Sequence, residues 1–220
     1  MISSWGVKPI PLVFDQDFYI TDGGAILPSL RSAVATWNAW SALKGFRAFT
    51  ILNDTSTGIS GGVHIPVVTS TCSQAAYTSS LTSAVGVWKI QSSGDSVNTR
   101  ASCGSQVKLI SDGTEGVTDW AFTNNRITGA SILLNFDNFN APGKVSLDVQ
   151  SLLLHELGHV LGLLHSCNGS GGADTDVTSA VNCSLAPVEY LNAVMFPALF
   201  VGQVRRALTQ NDYNRINCLY

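Results

Sequence analysis

The run His155-Glu156-Leu157-Gly158-His159-Val160-Leu161-Gly162-Leu163-Leu164-His165 decides how the rest of the chain is read. On a helix, residues four apart share a face, so His155 and His159 can direct both imidazoles at one ion. Glu156 stands one step round, where its carboxylate reaches a water on that ion without ligating it. A straight helix would carry His165 too far along to join them. Gly162 removes the difficulty, because glycine adopts the left-handed conformation that ends a helix and turns the chain back. Three neutral imidazoles leave a fourth position for water, the arrangement of a catalytic rather than a structural zinc. The bare HExxH pattern arises by chance in roughly one chain of this length in two hundred, and the added glycine and histidine lower that about a thousandfold. The competing reading, core histidines on an apolar helix, must explain four such residues in one register.

Working outward, the same helix has Ser146 as its expected N-cap, Asp148 in its first turn, and Val149, Leu152, Leu153 and Val160 on an apolar face. Upstream, residues 7–19 mix β-branched, aromatic and proline residues and read as a first strand. Leu30, Val34, Trp37 and Trp40 recur at helical spacing between Asp22-Gly23-Gly24 and Gly45, which predicts an amphipathic helix packing its tryptophans on a sheet. Further strands are expected over residues 46–52, 63–68, 85–90, 107–110, 119–122 and 130–136, the last two joined by a turn near Asn124-Asn125. Beyond Gly162 the pattern is loop-like up to Tyr190. Thr209-x-x-Asp212 then resembles a capping box, with Tyr213, Ile216 and Leu219 on one face of a terminal helix.

Composition narrows the partners. Net charge is −3, and the twelve Lys and Arg are scattered from Lys8 to Arg215 without a basic run, so neither nucleic acid nor an anionic membrane is expected as a partner. Charged residues make up 12% of the chain, about half the usual share, which suits a secreted protein. No apolar stretch reaches transmembrane length. The opening residues lack the basic and apolar regions of a signal peptide, so export implies a trimmed, mature form. Five cysteines (Cys72, Cys103, Cys167, Cys183, Cys218) contain no CxxC pair, which disfavours zinc-ribbon and thioredoxin-like readings. Disulfides in an oxidising compartment fit better, with five buried free thiols as the alternative. At 220 residues the chain suits one domain, or two lobes sharing a cleft.

The run HELGHVLGLLHS resembles the metzincin signature, and Ser166 after the third histidine is similar to the matrixin branch, the matrix metalloproteinases and their bacterial relatives. Ala193-Val194-Met195-Phe196-Pro197 resembles the Met-turn. Leu208 to Tyr220 is similar to the closing matrixin helix, and Arg31 to Trp37 resembles the first helix of the family. The resemblance implies an α+β fold in a single catalytic domain, residues 1–220. An upper lobe of about residues 1–162 would hold a twisted, mostly parallel five-stranded sheet and two long helices. A small irregular lower lobe, about residues 163–220, would hold the Met-turn and the C-terminal helix. It also implies His155, His159 and His165 as ligands of one catalytic zinc, Glu156 as the base, and Met195 beneath the ligands. The substrate would pair as an extended strand with a sheet edge near residues 116–123. The pocket after the scissile bond would be formed by Leu154, Pro197, Ala198 and Leu199, all apolar, implying a hydrophobic residue immediately after the cut. Where the family carries two adjacent aspartates this chain has Asn211 and Asp212, with Asp212 implied as a brace for the Met-turn.

The chain departs from the vertebrate pattern in its other metals. Only His64 lies outside the motif, so a second, structural zinc site cannot be built. No calcium motif is recognisable, and Asp112, Glu115, Asp119 and Asp137 are the acidic residues left to such a site. Cys72–Cys103, closing a Gly/Ser/Thr-rich region, and Cys167–Cys183, closing the loop before the Met-turn, are the expected bridges, leaving Cys218 free. A loop of about 15 residues contributes roughly 3 kcal/mol. The function expected is that of a secreted, monomeric zinc endopeptidase acting on proteins or peptides. A non-catalytic zinc-containing binding domain and a peptidoglycan hydrolase with the same chemistry are the alternatives, and the first has no use for Glu156.

Overall fold

Parallel and antiparallel pairing divide the sheet in a way that matters for the site. The structure, a computed structural model, describes residues 4–6, 8–14, 26–52, 54–55, 58–59, 83–90, 114–135, 147–169 and 181–220. In chain order its strands are β1 (Ile10–Phe14), β2 (Phe49–Ile51), β3 (Asp54–Thr55), β4 (Gly58–Ile59), β5 (Val85–Ile90), β6 (Gly116–Thr123) and β7 (Arg126–Asn135). Five of them form a mostly parallel sheet in the order β2-β1-β5-β7-β6, while β3 and β4 pair with each other. The strands β2, β1, β5 and β7 run parallel; β6 alone is antiparallel and forms one edge. Ile10, Leu12, Val13 and Phe14 in β1 are all buried, as are Ile132, Leu133 and Leu134 in β7, the near-continuous apolar run of strands covered on both faces.

The β6–β7 hairpin closes on Asn124 and Asn125, at φ 50° and 59°. Both residues are left-handed, as a two-residue type I′ hairpin requires, and asparagine tolerates that conformation better than most side chains. β6 spans Gly116–Thr123, the edge strand the resemblance implies, and extends beyond the 119–122 read from the residues alone; β7 begins at Arg126 rather than Ala130. Gly116 carries little strand signal by itself, and cross-strand pairing to Leu134 supplies it. The strands expected over 63–68 and 107–110 lie outside the described residues, as do Cys72, Cys103, His64, Asp112 and Asp137.

Helix α1 (Ile26–Ala42) buries Leu30, Val34, Trp37 and Trp40, the face its periodicity predicts. Its tryptophans are structural. The Trp37 indole donates to the Leu154 carbonyl at 3.0 Å, which ties α1 to helix α2 (Val149–Val160). Trp40 stands edge-on to Trp37, Phe46 and Tyr220. The N-cap of α2 is Asp148 rather than Ser146: its carboxylate accepts the Ser151 N–H at 2.8 Å and also pairs with Arg206. An aspartate there satisfies an orphan N–H and places negative charge at the positive end of the helix.

After α2 the chain is tied down in short steps. Cys167 and Cys183 form a disulfide, which fits an oxidising environment, and Cys218 is an exposed free thiol, as the cysteine reading expects. A 3-10 turn (Cys183–Leu185) and helix α3 (Val188–Leu191) precede helix α4 (Gln210–Ile216). Thr209 and Asp212 form a complete capping box at the start of α4. Among the described residues no helix is long and apolar enough to cross a membrane.

Candidate metal centre

Helix α2 carries His155 and His159 one turn apart, and its ending delivers the third histidine. Gly162 has φ 93°, its N–H donates to the His159 carbonyl at 2.7 Å, and the Leu163 N–H donates to the Gly158 carbonyl at 3.0 Å. These two bonds form a Schellman stop, which a residue with a Cβ would resist. The reversed chain returns His165 to the helix. The three Nε2 atoms then stand 3.1–3.2 Å apart in a nearly equilateral triangle.

The other ring nitrogens fix the tautomers. Nδ1 of His155 lies 2.8 Å from the Val194 carbonyl, and Nδ1 of His159 lies 2.7 Å from the Leu163 carbonyl. A carbonyl only accepts, so each Nδ1 carries the hydrogen and each Nε2 is left with a bare lone pair. Lone pairs converging at this distance repel unless a cation lies among them. Four-coordinate metal–nitrogen bonds of about 2.0–2.1 Å require nitrogens roughly 3.3 Å apart, close to the spacing found. His155, His159 and His165 can therefore hold a metal ion. Burial, and electrostatic repulsion within the histidine cluster, push the His155 imidazole down to about 3, against the Val194 hydrogen bond, and burial lowers His159 well below its ordinary value. Both rings thus stay neutral, the form that ligates a metal.

Glu156 lies beside the histidines in sequence and directs its carboxylate towards β6. It is 3% exposed, and burial raises its carboxyl to about 7, opposed by a hydrogen bond from Thr118. That bond, from the Thr118 hydroxyl to Oε2, is 2.6 Å. Trp120, two residues along β6, donates its indole N–H to the His159 carbonyl at 2.9 Å.

The floor comes from the segment around Met195. The Val194 and Met195 N–H groups both donate to the Asp212 carboxylate, at 3.0 and 3.2 Å. Met195 is wholly buried, and a Cβ placed on Gly158 would meet its sulfur at 2.3 Å. Ser166 N–H donates to the Met195 carbonyl at 2.7 Å, and the Arg215 guanidinium donates to the His165 carbonyl at 2.9 Å. The loop of the third histidine is thus held from both sides.

A cleft of about 450 Å³ opens on the three histidines and Glu156. Of the residues expected to shape a substrate pocket, Pro197 and Leu199 line it. Leu154 does not: it is wholly buried in the hydrophobic core, and Leu152 and Ser151 reach the cleft instead. Ala198 is also absent from the lining and presents its carbonyl to Arg205 at 2.7 Å. Gly116, Thr118 and Trp120, in the edge strand the resemblance implies, and Arg205 also line the cleft, none of them given an individual role from sequence. The period-2 face of a strand beginning at Gly116 was the signal available for the first three.

No known protein family matches the chain, and no curated protein matches it in sequence.

Proposed function

We propose that this chain is a secreted zinc-dependent endopeptidase of the metzincin kind, similar to the matrixins. The observation that carries the reading is the convergence of three Nε2 atoms, two with tautomers set by backbone carbonyls, beside a buried carboxylate in an open cleft. Nitrogen-only ligands in a near-regular triangle suit zinc better than calcium or magnesium, which prefer oxygen. His155, His159 and His165 would hold it. When bound, zinc supplies Lewis acidity towards a peptide carbonyl and towards water.

The remaining work falls to the chain's own residues. Glu156, ionised, accepts a proton from the attacking water and returns it to the departing amine nitrogen. Burial, opposed by the Thr118 hydrogen bond, raises its carboxyl to about 7, where proton transfer in both directions is efficient. Among the described strands β6 stands at the edge of the five-stranded sheet, where an extended peptide can add as a further strand. Pro197, Leu199 and Leu152 supply apolar surface for the residue after the cut.

A digest of a denatured protein beside one of cell-wall peptide fragments tests the substrate class. Cleavage of the protein at many internal bonds supports the reading; cleavage of the cell-wall fragments alone overturns it in favour of a peptidoglycan hydrolase. Cleavage of neither by the zinc-loaded protein leaves a binding domain on the same scaffold.

A further inference from the structure

One face of β6 is built around the Glu156 carboxylate. Gly116, Thr118 and Trp120 alternate along the strand and look towards α2, where they meet Glu156, Glu156 again, and the His159 carbonyl. The Thr118 hydroxyl lies 2.6 Å from Oε2 of Glu156 and 3.3 Å from its backbone carbonyl. A hydroxyl has one hydrogen, and the short contact to the charged oxygen takes it. At position 116 a Cβ would stand 2.8 Å from Oε1 and 3.2 Å from Cδ, so the carboxylate occupies space that only glycine leaves open.

We propose that Thr118 is a positioning residue for Glu156: its hydroxyl holds Oε2 against β6 so that Oε1 alone is left to exchange the water's proton. The proposal rests on the endopeptidase reading and adds to it the element that aims the base. Three features make Thr118 suited to the task. Its backbone is fixed by pairing to Ile132 in the sheet. Its branched Cβ restricts χ1, so the hydroxyl direction is set by the strand. It is also nearly buried, at 9% exposed, so water competes poorly for the carboxylate oxygen.

The test compares Thr118→Val, which keeps shape and loses the donor, with Thr118→Ser, which keeps the donor. Each is assayed on a peptide substrate with zinc content matched to wild type, and Thr118→Val is crystallised with zinc to locate the Glu156 carboxylate. The expected result is a fall in kcat of roughly 10- to 100-fold for Thr118→Val, the usual cost of removing a partner that orients a catalytic group. KM should stay within about twofold and Thr118→Ser within about threefold of wild type, with the carboxylate displaced from β6 in the valine crystal. Thr118→Ala serves as the donorless variant should the valine protein fail to fold. Equal losses in the serine and donorless variants would assign Thr118 a packing role and overturn the proposal. So would a donorless variant with wild-type kcat, or with Glu156 unmoved. If wild type cleaves no peptide, the endopeptidase reading falls by itself, and the crystal still decides whether the hydroxyl holds the carboxylate.

Discussion

The Asp212 carboxylate accepts the backbone N–H of Met195 at 3.2 Å, so the last helix of the chain holds the floor beneath the three histidines. The same carboxylate takes the Val194 N–H at 3.0 Å and the Thr209 N–H at 2.8 Å, and it is wholly buried. Replacing it with alanine strands these donors in the interior, at about 1–3 kcal/mol for each donor left unsatisfied. Asp212→Ala should therefore lose about 3 kcal/mol, lowering Tm by roughly 6–12 °C, and should weaken metal binding. Asp212→Asn, which keeps one acceptor oxygen, should lose less. Thermal melts with and without zinc check the order; equal Tm values for wild type and Asp212→Ala would remove the brace.

Gly158 marks the closest approach of α2 to Met195. An added Cβ would lie 2.3 Å from the Met195 sulfur and 3.2 Å from Cζ2 of Trp37. Thioether and indole cannot both give way without disturbing the floor, so Gly158→Ala should cost about 1–3 kcal/mol. Met195→Leu, nearly volume-conserving, should cost less than about 1.5 kcal/mol. Denaturant unfolding of the metal-free proteins measures both. The reverse order would mean that the sulfur itself, not the close fit, matters there.

The metal-free protein should be sensitive to acid. His155 and His159 titrate well below their ordinary value in the fold, so on acidification the unfolded chain binds protons that the folded chain refuses. Glu156, raised to about 7, acts oppositely in the window from about 4.5 to 7, where the folded state holds its proton and the unfolded state does not. Two lowered imidazoles outweigh one raised carboxyl, leaving about one net proton taken up on unfolding near pH 5.5. These groups should thus contribute a loss of roughly 1 kcal/mol per pH unit as pH falls through that region. His155→Gln, neutral throughout, should flatten the slope relative to wild type. An identical slope in the two proteins would show that His155 is not the source.

The motif made most of this centre legible in the sequence. His155, His159, Glu156 and the left-handed Gly162 are all set within twelve residues by helix geometry and a glycine stop, so local rules suffice. The Cys167–Cys183 bridge, the Thr209 capping box and Asp212 beneath Met195 were likewise readable, the last through the resemblance. What escaped depends on long-range packing. Leu154 and Leu152 stand two positions apart on α2, and which of them reaches the cleft depends on how the helix packs; Trp37, more than a hundred residues away, is bonded to it at Leu154. Thr118 and Gly116 carry no local mark, because their meaning arises only when β6 is laid across α2.

Pro197, Leu199 and Leu152 line the cleft wall, and on the proposed endopeptidase function they would favour an apolar side chain immediately after the cut. Selectivity from such surface is modest, about 10- to 200-fold, so a proteome-derived peptide library should show broad cleavage with a hydrophobic bias at that position. A profile dominated by charged residues there would transfer the pocket's character to Glu115 and Arg205, which also reach the cleft.

The central claim is that Glu156 acts as the base on a zinc held by His155, His159 and His165. Glu156→Gln measures it most directly, with zinc content and peptide hydrolysis determined on the same preparation. The amide keeps the shape of the side chain but cannot accept the water's proton. The expected result is one zinc per chain in both proteins and a loss of kcat/KM of at least about a thousandfold in the variant, roughly 4 kcal/mol in the transition state. Hydrolysis by Glu156→Gln within about tenfold of wild type, zinc being retained, would contradict it.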